Sequence, residues 1–386
     1  MTLGVLLLGM GLNSLMAKVE VLAETSQNNP LLPKGNRDLT TLEKNRVEEA
    51  ISQLQTEAQA ALEAGDENQA FTLWYQELEL QKALGIASEI EALGRIGGIA
   101  WEKNRTLDVN ILVDRLNLIQ QQAQKSPPMA PNLLQPLATA YQQLRELEKA
   151  AVIYQQILQL AIKREDQVAQ EETLKILGQL YIDRFDYTNA AAIYEQLLKR
   201  AEAQDDYFNQ GLYLRQLGEL YSQALQPENA VMAKQKLAET YLKNQELQKI
   251  PALKIEIGDD YQAIDNPESA SQNYQEAFSL GWSLKQLATA GEALSKLANL
   301  YSVHDQKDYA LQVYKELIKV EQQAYDFYGL MTVYDRMGQI YAEQKNYTEA
   351  LKAFQNGLQL ARSLSYQESY FIGQIDQIKK QLTLPR

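Results

Sequence analysis

Not one of the 386 residues is cysteine. Disulfides, thiolate nucleophiles and cysteine-held metals are therefore excluded. There is a single histidine, His304. No second histidine, cysteine or carboxylate cluster accompanies it, so it reads as a surface turn residue rather than a ligand. Runs of lysine and arginine are missing too. The 37 basic residues stand against 50 acidic ones, a net charge of -13 that argues against nucleic-acid binding. The chain also lacks a glycine-rich phosphate loop, a nucleophile elbow and a zincin pattern. Gly94, Gly97 and Gly98 lie in a helical stretch and read as close-packing sites. Asp205-Asp206 and Asp259-Asp260 have no EF-hand spacing around them and read as a solvated turn and a solvated helix face. No catalytic residue, metal ligand or cofactor is expected, and the chain does not read as an enzyme.

Proline is scarce, at ten residues, and its placement carries information. Pro127, Pro128 and Pro131 fall in KSPPMAPN, 125–132, and cannot continue a helix interior. The stretch reads as a loop, with Pro136 in the first turn of a shortened helix. Pro227, Pro251 and Pro267 read as helix starts, where the missing N–H is harmless.

What the chain does have is a period. Stepping by forty, Trp101, Tyr141, Tyr181, Tyr221, Tyr261, Tyr301 and Tyr341 are all aromatic. Three residues earlier, Gly98, Ala138, Gly178, Gly218, Gly258, Ala298 and Gly338 are all small. Alanine recurs at 70, 150, 190, 230, 270, 310 and 350, and a ring at Trp74, Tyr154, Tyr194, Tyr274, Tyr314 and Phe354. A fixed period of this size signals stacked helical hairpins. The small residue lets a neighbouring helix approach, and the aromatic lies one turn further along the same face. No hairpin buries its apolar face alone, so the units must stack. Asp66 with Gln69, and Asn346 with Glu349, read as caps of second helices.

The ends differ from this array. Leu3 to Met16 is apolar but short for a bilayer span. With Val21-Leu22-Ala23 before Glu24 it reads as an export signal over 1–23, although a basic n-region is missing. Residues 24–41 read as a linker. The array covers 42–366, and 367–386 reads as a capping helix and tail, with Phe371, Ile372, Ile375, Ile378 and Leu382 on its apolar face.

The pattern resembles the tetratricopeptide repeat family, with Leu177, Gly178, Tyr181, Ala190 and Tyr194 in that family's positions 7, 8, 11, 20 and 24. The resemblance covers about eight units. It departs from the family in unit length, at Ala61 in unit one, at Asn110 and Asp114 in unit two, and at Lys234 in unit five. It implies an all-α fold, a right-handed α-solenoid of about eight hairpins plus a C-terminal capping helix. The family's inner groove is lined from positions 5 and 9 among others. Carried over, these give Arg95, Lys175, Gln179, Arg215, Glu219, Asp259, Asn299, Asp335 and Gln339 as candidate partner-binding residues, with Ile255 in the same row. Lys175 and Arg215 are expected to project into one groove and meet an acidic segment. The family's carboxylate clamp is not intact. Tyr207, Phe208, Phe327 and Tyr328 lie outside the repeat slots. They read either as packing between units or as an exposed aromatic ridge, and Trp282 reads as part of an inter-unit turn.

The function expected from this reading is a non-catalytic scaffold that binds a protein or peptide segment. It is expected to be exported, to a periplasm or thylakoid lumen, resembling exported bacterial repeat proteins. Membrane contact is expected only through the leader. The alternative is a cytoplasmic peptide-sensing regulator whose superhelix changes shape on binding, if the leader is not a signal.

Overall fold

The computed structural model describes residues 30–33, 37–125 and 129–383. The stretch 1–23, expected to be an export signal, and Pro127 and Pro128 of the expected loop lie outside the described residues. Seventeen α-helices and no strands make up the described residues. The fold is an all-α helical repeat. The chain divides into two compact units with the boundary after Phe185.

The first unit contains α1 (Thr41–Glu63), α2 (Glu67–Leu84), α3 (Ile86–Glu102), α4 (Thr106–Gln124), α5 (Pro131–Gln143), α6 (Leu147–Lys163) and α7 (Gln167–Asp183). Consecutive helices pack as hairpins, except that α5 lies chiefly on α3 rather than on α4. The second unit contains α8 (Tyr187–Ala203), α9 (Tyr207–Gln223), α10 (Pro227–Lys243), α11 (Ile250–Ala263), α12 (Pro267–Ser283), α13 (Leu287–Val303), α14 (Lys307–Ala324), α15 (Phe327–Glu343), α16 (Tyr347–Leu364) and α17 (Glu368–Thr383). Here every helix packs on the next, and a short 3-10 turn, Leu247–Lys249, leads into α11.

One turn geometry builds nearly every corner. At the end of α5, Arg145 is left-handed at φ 60°, its N–H bonds to Gln142 O at 3.1 Å, and Glu146 N–H bonds to Tyr141 O at 2.8 Å. This is the Schellman arrangement, which satisfies carbonyls orphaned at a helix end. The residue after the left-handed one then caps the next helix. Asp166, Asp186, Asp206 and Asp326 each accept an N–H three residues on, at 2.8–3.3 Å. Asp66 and Asn346 cap as expected. The left-handed residue is rarely glycine: Leu225, Lys285 and Lys345 hold φ near 60°.

Proline behaves as read at 227, 251 and 267, each in the first turn of its helix. Pro136 does not. It sits inside α5, beyond the first turn, because α5 already begins at Pro131. Trp282 belongs to the last turn of α12, its ring 6.2 Å from Phe278, and the actual corner follows at 284–286.

Both ends of the array are covered. Leu31, Leu32 and Leu39, in the stretch read as a linker, pack on Val47, Ile51 and Leu80 of the first hairpin. At the other end Phe371, Ile375 and Ile378 of α17 bury against Phe354 and Ala361. Ile372 and Leu382, expected on that apolar face, are 40% and 46% exposed, because α16 accepts only one stripe of α17.

Small residues at the repeat mark make the close contacts. A Cβ on Gly258 would stand 2.5 Å from the Tyr274 ring, and one on Gly338 2.7 Å from Phe354. Unit two breaks the rule. Gly98 has ordinary clearance, at 3.7 Å from Gln143, whereas Gly94 presses on Ala140 of α5 and Gly97 on Leu144, which caps α5. Trp101, expected to pack, is 51% exposed. The cause is the corner before α3. Gly85 alone, at φ 134°, joins α2 to α3, so α3 begins early and buries Ile90, Leu93, Ile96 and Ala100 instead.

Candidate functional site

The tyrosines of the repeat slot are clasps between hairpins. The Tyr181 hydroxyl accepts from Gln155 Nε2 at 2.7 Å, and Tyr261 from Gln235 Nε2 at 2.9 Å. Tyr221 donates to Glu195, and Gln275 Nε2 donates to Tyr301 at 3.3 Å. Each partner lies 26 residues back, on the preceding second helix. Tyr141 instead donates to Asn117 at 2.9 Å and Gln120 at 2.6 Å. These rings hold the scaffold together. Trp101 has no hydroxyl, and Tyr75, which stands 26 residues before it, donates to Asp108 at 2.6 Å.

In the first unit the candidate groove row lines two adjoining recesses. One is bounded by Gln55, Gln59, Trp74 and Arg95, the other by Arg95, Ile99, Trp101, Thr139 and Arg145. Arg95 is not available as a bare cation. It donates to both oxygens of Glu77 at 2.6 Å, a fully buried carboxylate that also accepts from Gln55 at 2.7 Å. Lys175 pairs with Glu171 on its own helix at 2.6 Å, and Gln179 donates to Asp183 at 2.7 Å.

The second unit treats its charged row the same way. Arg215 binds Glu256 at 2.8 Å. Asp259 accepts from Tyr274 at 2.6 Å and from Lys296 at 2.8 and 2.9 Å. Asp335 accepts from Gln339 and Tyr370, both at 2.9 Å, and burial pushes its carboxyl above the usual range. Glu219 and Asn299 are exposed, whereas Ile255 is buried at 4% and leaves the row. Lys175 belongs to the first unit and Arg215 to the second.

Of the two acidic pairs, Asp205-Asp206 lies in a corner with Asp205 exposed, as read, whereas Asp259-Asp260 departs from the reading of it as a solvated helix face. Asp260 is buried on α11, and its carboxylate meets Lys234 at 2.7 Å. The stem of Lys234 lies over Gly218, 2.8 Å from where a Cβ would be, so lysine replaces the ring used elsewhere in that slot. Burial raises the Asp260 carboxyl, against the pull of Lys234. Asp206 caps α9, and Asp205 is the left-handed corner residue. The aromatics outside the slots are exposed: Tyr207 45%, Phe208 79%, Phe327 50% and Tyr328 56%. They open α9 and α15 and are mostly surface, although the Tyr328 ring packs on Tyr366 with centroids 5.7 Å apart.

In the second unit a recess runs between α13 and α15, over α14. It has a volume of about 530 Å³ and includes Ser295, Lys296, Asn299, Glu321, Tyr328 and Arg336 in its lining. Tyr314 and Leu317 form buried wall. Burial pushes the Glu321 carboxyl up to about 7, with Asp326 adding to the effect. The groove index locates Ser295 and Asn299 but misses Glu321. Only a partial signal was present: a step of forty places Glu321 in register with Ala161, Ala201, Gly281 and Ala361, all small and buried, but also with Gln81, Gln121 and Tyr241.

The tetratricopeptide repeat family model matches residues 332–364, which span most of α15 and all of α16. No curated protein matches the sequence. Among solved structures, a signal-transduction ATPase with a tetratricopeptide repeat sensor from Pyrococcus horikoshii is similar, at 14% identity and TM-score 0.44, over 90% of this chain and 64% of that one. BtubC from P. vanneervenii is similar at 17% identity and TM-score 0.40, over 57% and 92%. So is the C-terminal part of a repeat-containing protein from Cytophaga hutchinsonii, at 13% identity and TM-score 0.40, over 69% and 95%.

Proposed function

We propose that this chain, a tetratricopeptide repeat protein, is a non-catalytic scaffold that receives a protein or peptide segment along the first-helix faces of its hairpins. One observation carries the reading. The residues that index to the family's groove place amides and hydroxyls in open recesses of mixed polar and apolar lining, at Gln55–Thr139 in the first unit and Ser295–Arg336 in the second, while most apolar marks are spent on packing. Amides and hydroxyls with spare hydrogen-bonding capacity suit a peptide backbone. Most charged groove residues are already paired within the fold, so the internal pairs set the shape of the face. The exposed ones among them, such as Lys175–Glu171, contribute only about 0–1 kcal/mol each and imply no ligand by themselves.

Export is part of the proposal and rests on Leu3–Met16 with Val21-Leu22-Ala23. Among the described residues no helix is long and apolar enough to cross a membrane. N-terminal sequencing of the protein from its native cell tests this part, and a mature chain beginning at Glu24 is the expected result. A chain that keeps Met1 and fractionates with cytoplasm favours the peptide-sensing regulator. The scaffold itself is tested by crosslinking in the native cell. One recurrent protein partner is expected, and its absence counts against the reading.

A further inference from the structure

The fold makes room for one carboxylate and leaves it without a counter-ion. Glu321 stands in a column where Ala161, Ala201, Gly281 and Ala361 are small and buried, while Gln81, Gln121 and Tyr241 are not small. At Gly281, for example, an added Cβ would lie 3.3 Å from the Ala290 backbone. At 321 the small residues have moved to the neighbours. A Cβ on Gly291 of α13 would come within 2.9 Å of one carboxylate oxygen, and one on Gly329 of α15 within 2.9 Å of the other. Two glycines on two helices thus clear space for this side chain at the edge of the recess.

The Glu321 backbone carbonyl accepts from Asp326 N–H at 3.0 Å, but no hydrogen bond or ion pair reaches its carboxylate among the described residues. Lys296, in the same recess, is committed to Asp259 at 2.8 Å, and Arg336 reaches only Gln339, at 3.4 Å. The remaining charged and titratable groups of the recess are Glu292 on α13, Tyr314 on α14, Asp326 at the corner and Tyr328 on α15. The two carboxylates add negative potential, and the tyrosines offer ring faces that attract cations. A half-buried carboxylate with no partner is costly to keep charged, and an arriving cation removes that cost.

We propose that the recess between α13 and α15 is a socket for a cationic side chain, arginine or lysine, of the bound segment, with Glu321 as its counter-ion and Tyr328 as its flank. The proposal rests on the scaffold reading and names what that scaffold selects. The net charge of -13 favours the approach of such a basic segment.

The test uses fluorescently labelled hexa-arginine and hexa-glutamate peptides with the full chain at physiological salt, read by anisotropy. Hexa-arginine should bind saturably and hexa-glutamate should not. Glu321→Gln should weaken hexa-arginine binding about tenfold or more, and Tyr328→Ala several-fold. Glu239→Gln, which removes an exposed carboxylate on α10, should leave it unchanged. Affinity of the parent should rise from pH 6 to pH 8 as Glu321 ionises, and this rise should vanish in Glu321→Gln. Circular dichroism of the glutamine variant verifies that it folds. No saturable binding overturns the socket. So does equal loss in Glu239→Gln and Glu321→Gln, which would mean diffuse attraction to an acidic surface. A native partner that crosslinks to the chain but binds Glu321→Gln as well as the parent overturns the socket and leaves the scaffold standing.

Discussion

The ring of Tyr274 fills the space that a side chain on Gly258 would occupy, 2.5 Å from the ideal Cβ position. Tyr274 is fully buried and its hydroxyl lies 2.6 Å from both Asp259 Oδ1 and Gln262 Oε1, so it cannot swing away without losing both contacts. Gly258→Leu should therefore cost about 1–3 kcal/mol by overpacking. Damage should centre on α11 to α13, since stacked units couple through neighbours. Hydrogen exchange checks this, and uniform loosening across both units would contradict it.

A second prediction concerns Lys234 and Asp260. Their side chains are 9% and 11% exposed and meet at 2.7 Å. Removing one partner of such a pair leaves a buried charge, typically at about 3–5 kcal/mol. Glu256 stands 3.8 Å from the ammonium and can take over in part, so Asp260→Ala should fall near the lower end of that range. Denaturant midpoints of parent and variant give the value. A loss under about 0.5 kcal/mol would mean the pair is not stabilising, a threshold typical of neutral surface changes.

The corners offer a third. Leu225 is 87% exposed and held at φ 56°. The left-handed conformation costs an L-residue roughly 1–2 kcal/mol, while glycine adopts it freely but loses more entropy on folding. Leu225→Gly should stabilise by about 0.5–1 kcal/mol net, visible as a higher melting temperature.

Glu321 fixes the sign of a pH effect. Its carboxyl is raised to about 7 in the fold, against roughly 4.3 when unfolded. Between these values the folded chain holds the extra proton. Stability should therefore be highest below about pH 4.3 as far as this group is concerned, and should decline as pH rises to about 7. Asp335 and Asp260 are shifted in the same direction. With partial exposure discounted, Glu321 contributes on the order of 1–2 kcal/mol. Glu321→Gln should be more stable than the parent at pH 8 and nearly equal at pH 4.5. Parallel pH profiles for the two proteins would contradict this.

The repeat itself was legible because small and aromatic marks recur at fixed spacing, and Gly258, Gly338 and the tyrosine slot pack where the period puts them. Trp101 and Gly98 were misread because a single corner residue, Gly85, shifts the phase of α3. A step of forty does not register such a shift. Residue type alone did not reveal the internal pairing of Arg95, Arg215 and Asp259. Their partners Glu77, Glu256 and Lys296 lie on other helices, at separations that only the packing sets. Glu321 and Lys234 both depart from the residue type that predominates in their columns, as do Tyr241 and Asp114. Glu321 marks the open recess and Lys234 a buried ion pair, and the sequence does not tell these two outcomes apart.

Site-specific photo-crosslinking in the native cell tests the scaffold most directly. A crosslinker at Asn299, on the recess between α13 and α15, should capture one recurrent protein partner. The same group at Lys319, an exposed position of α14 outside the recess lining, should not. Identical adducts at both positions, or none at Asn299, would contradict the account.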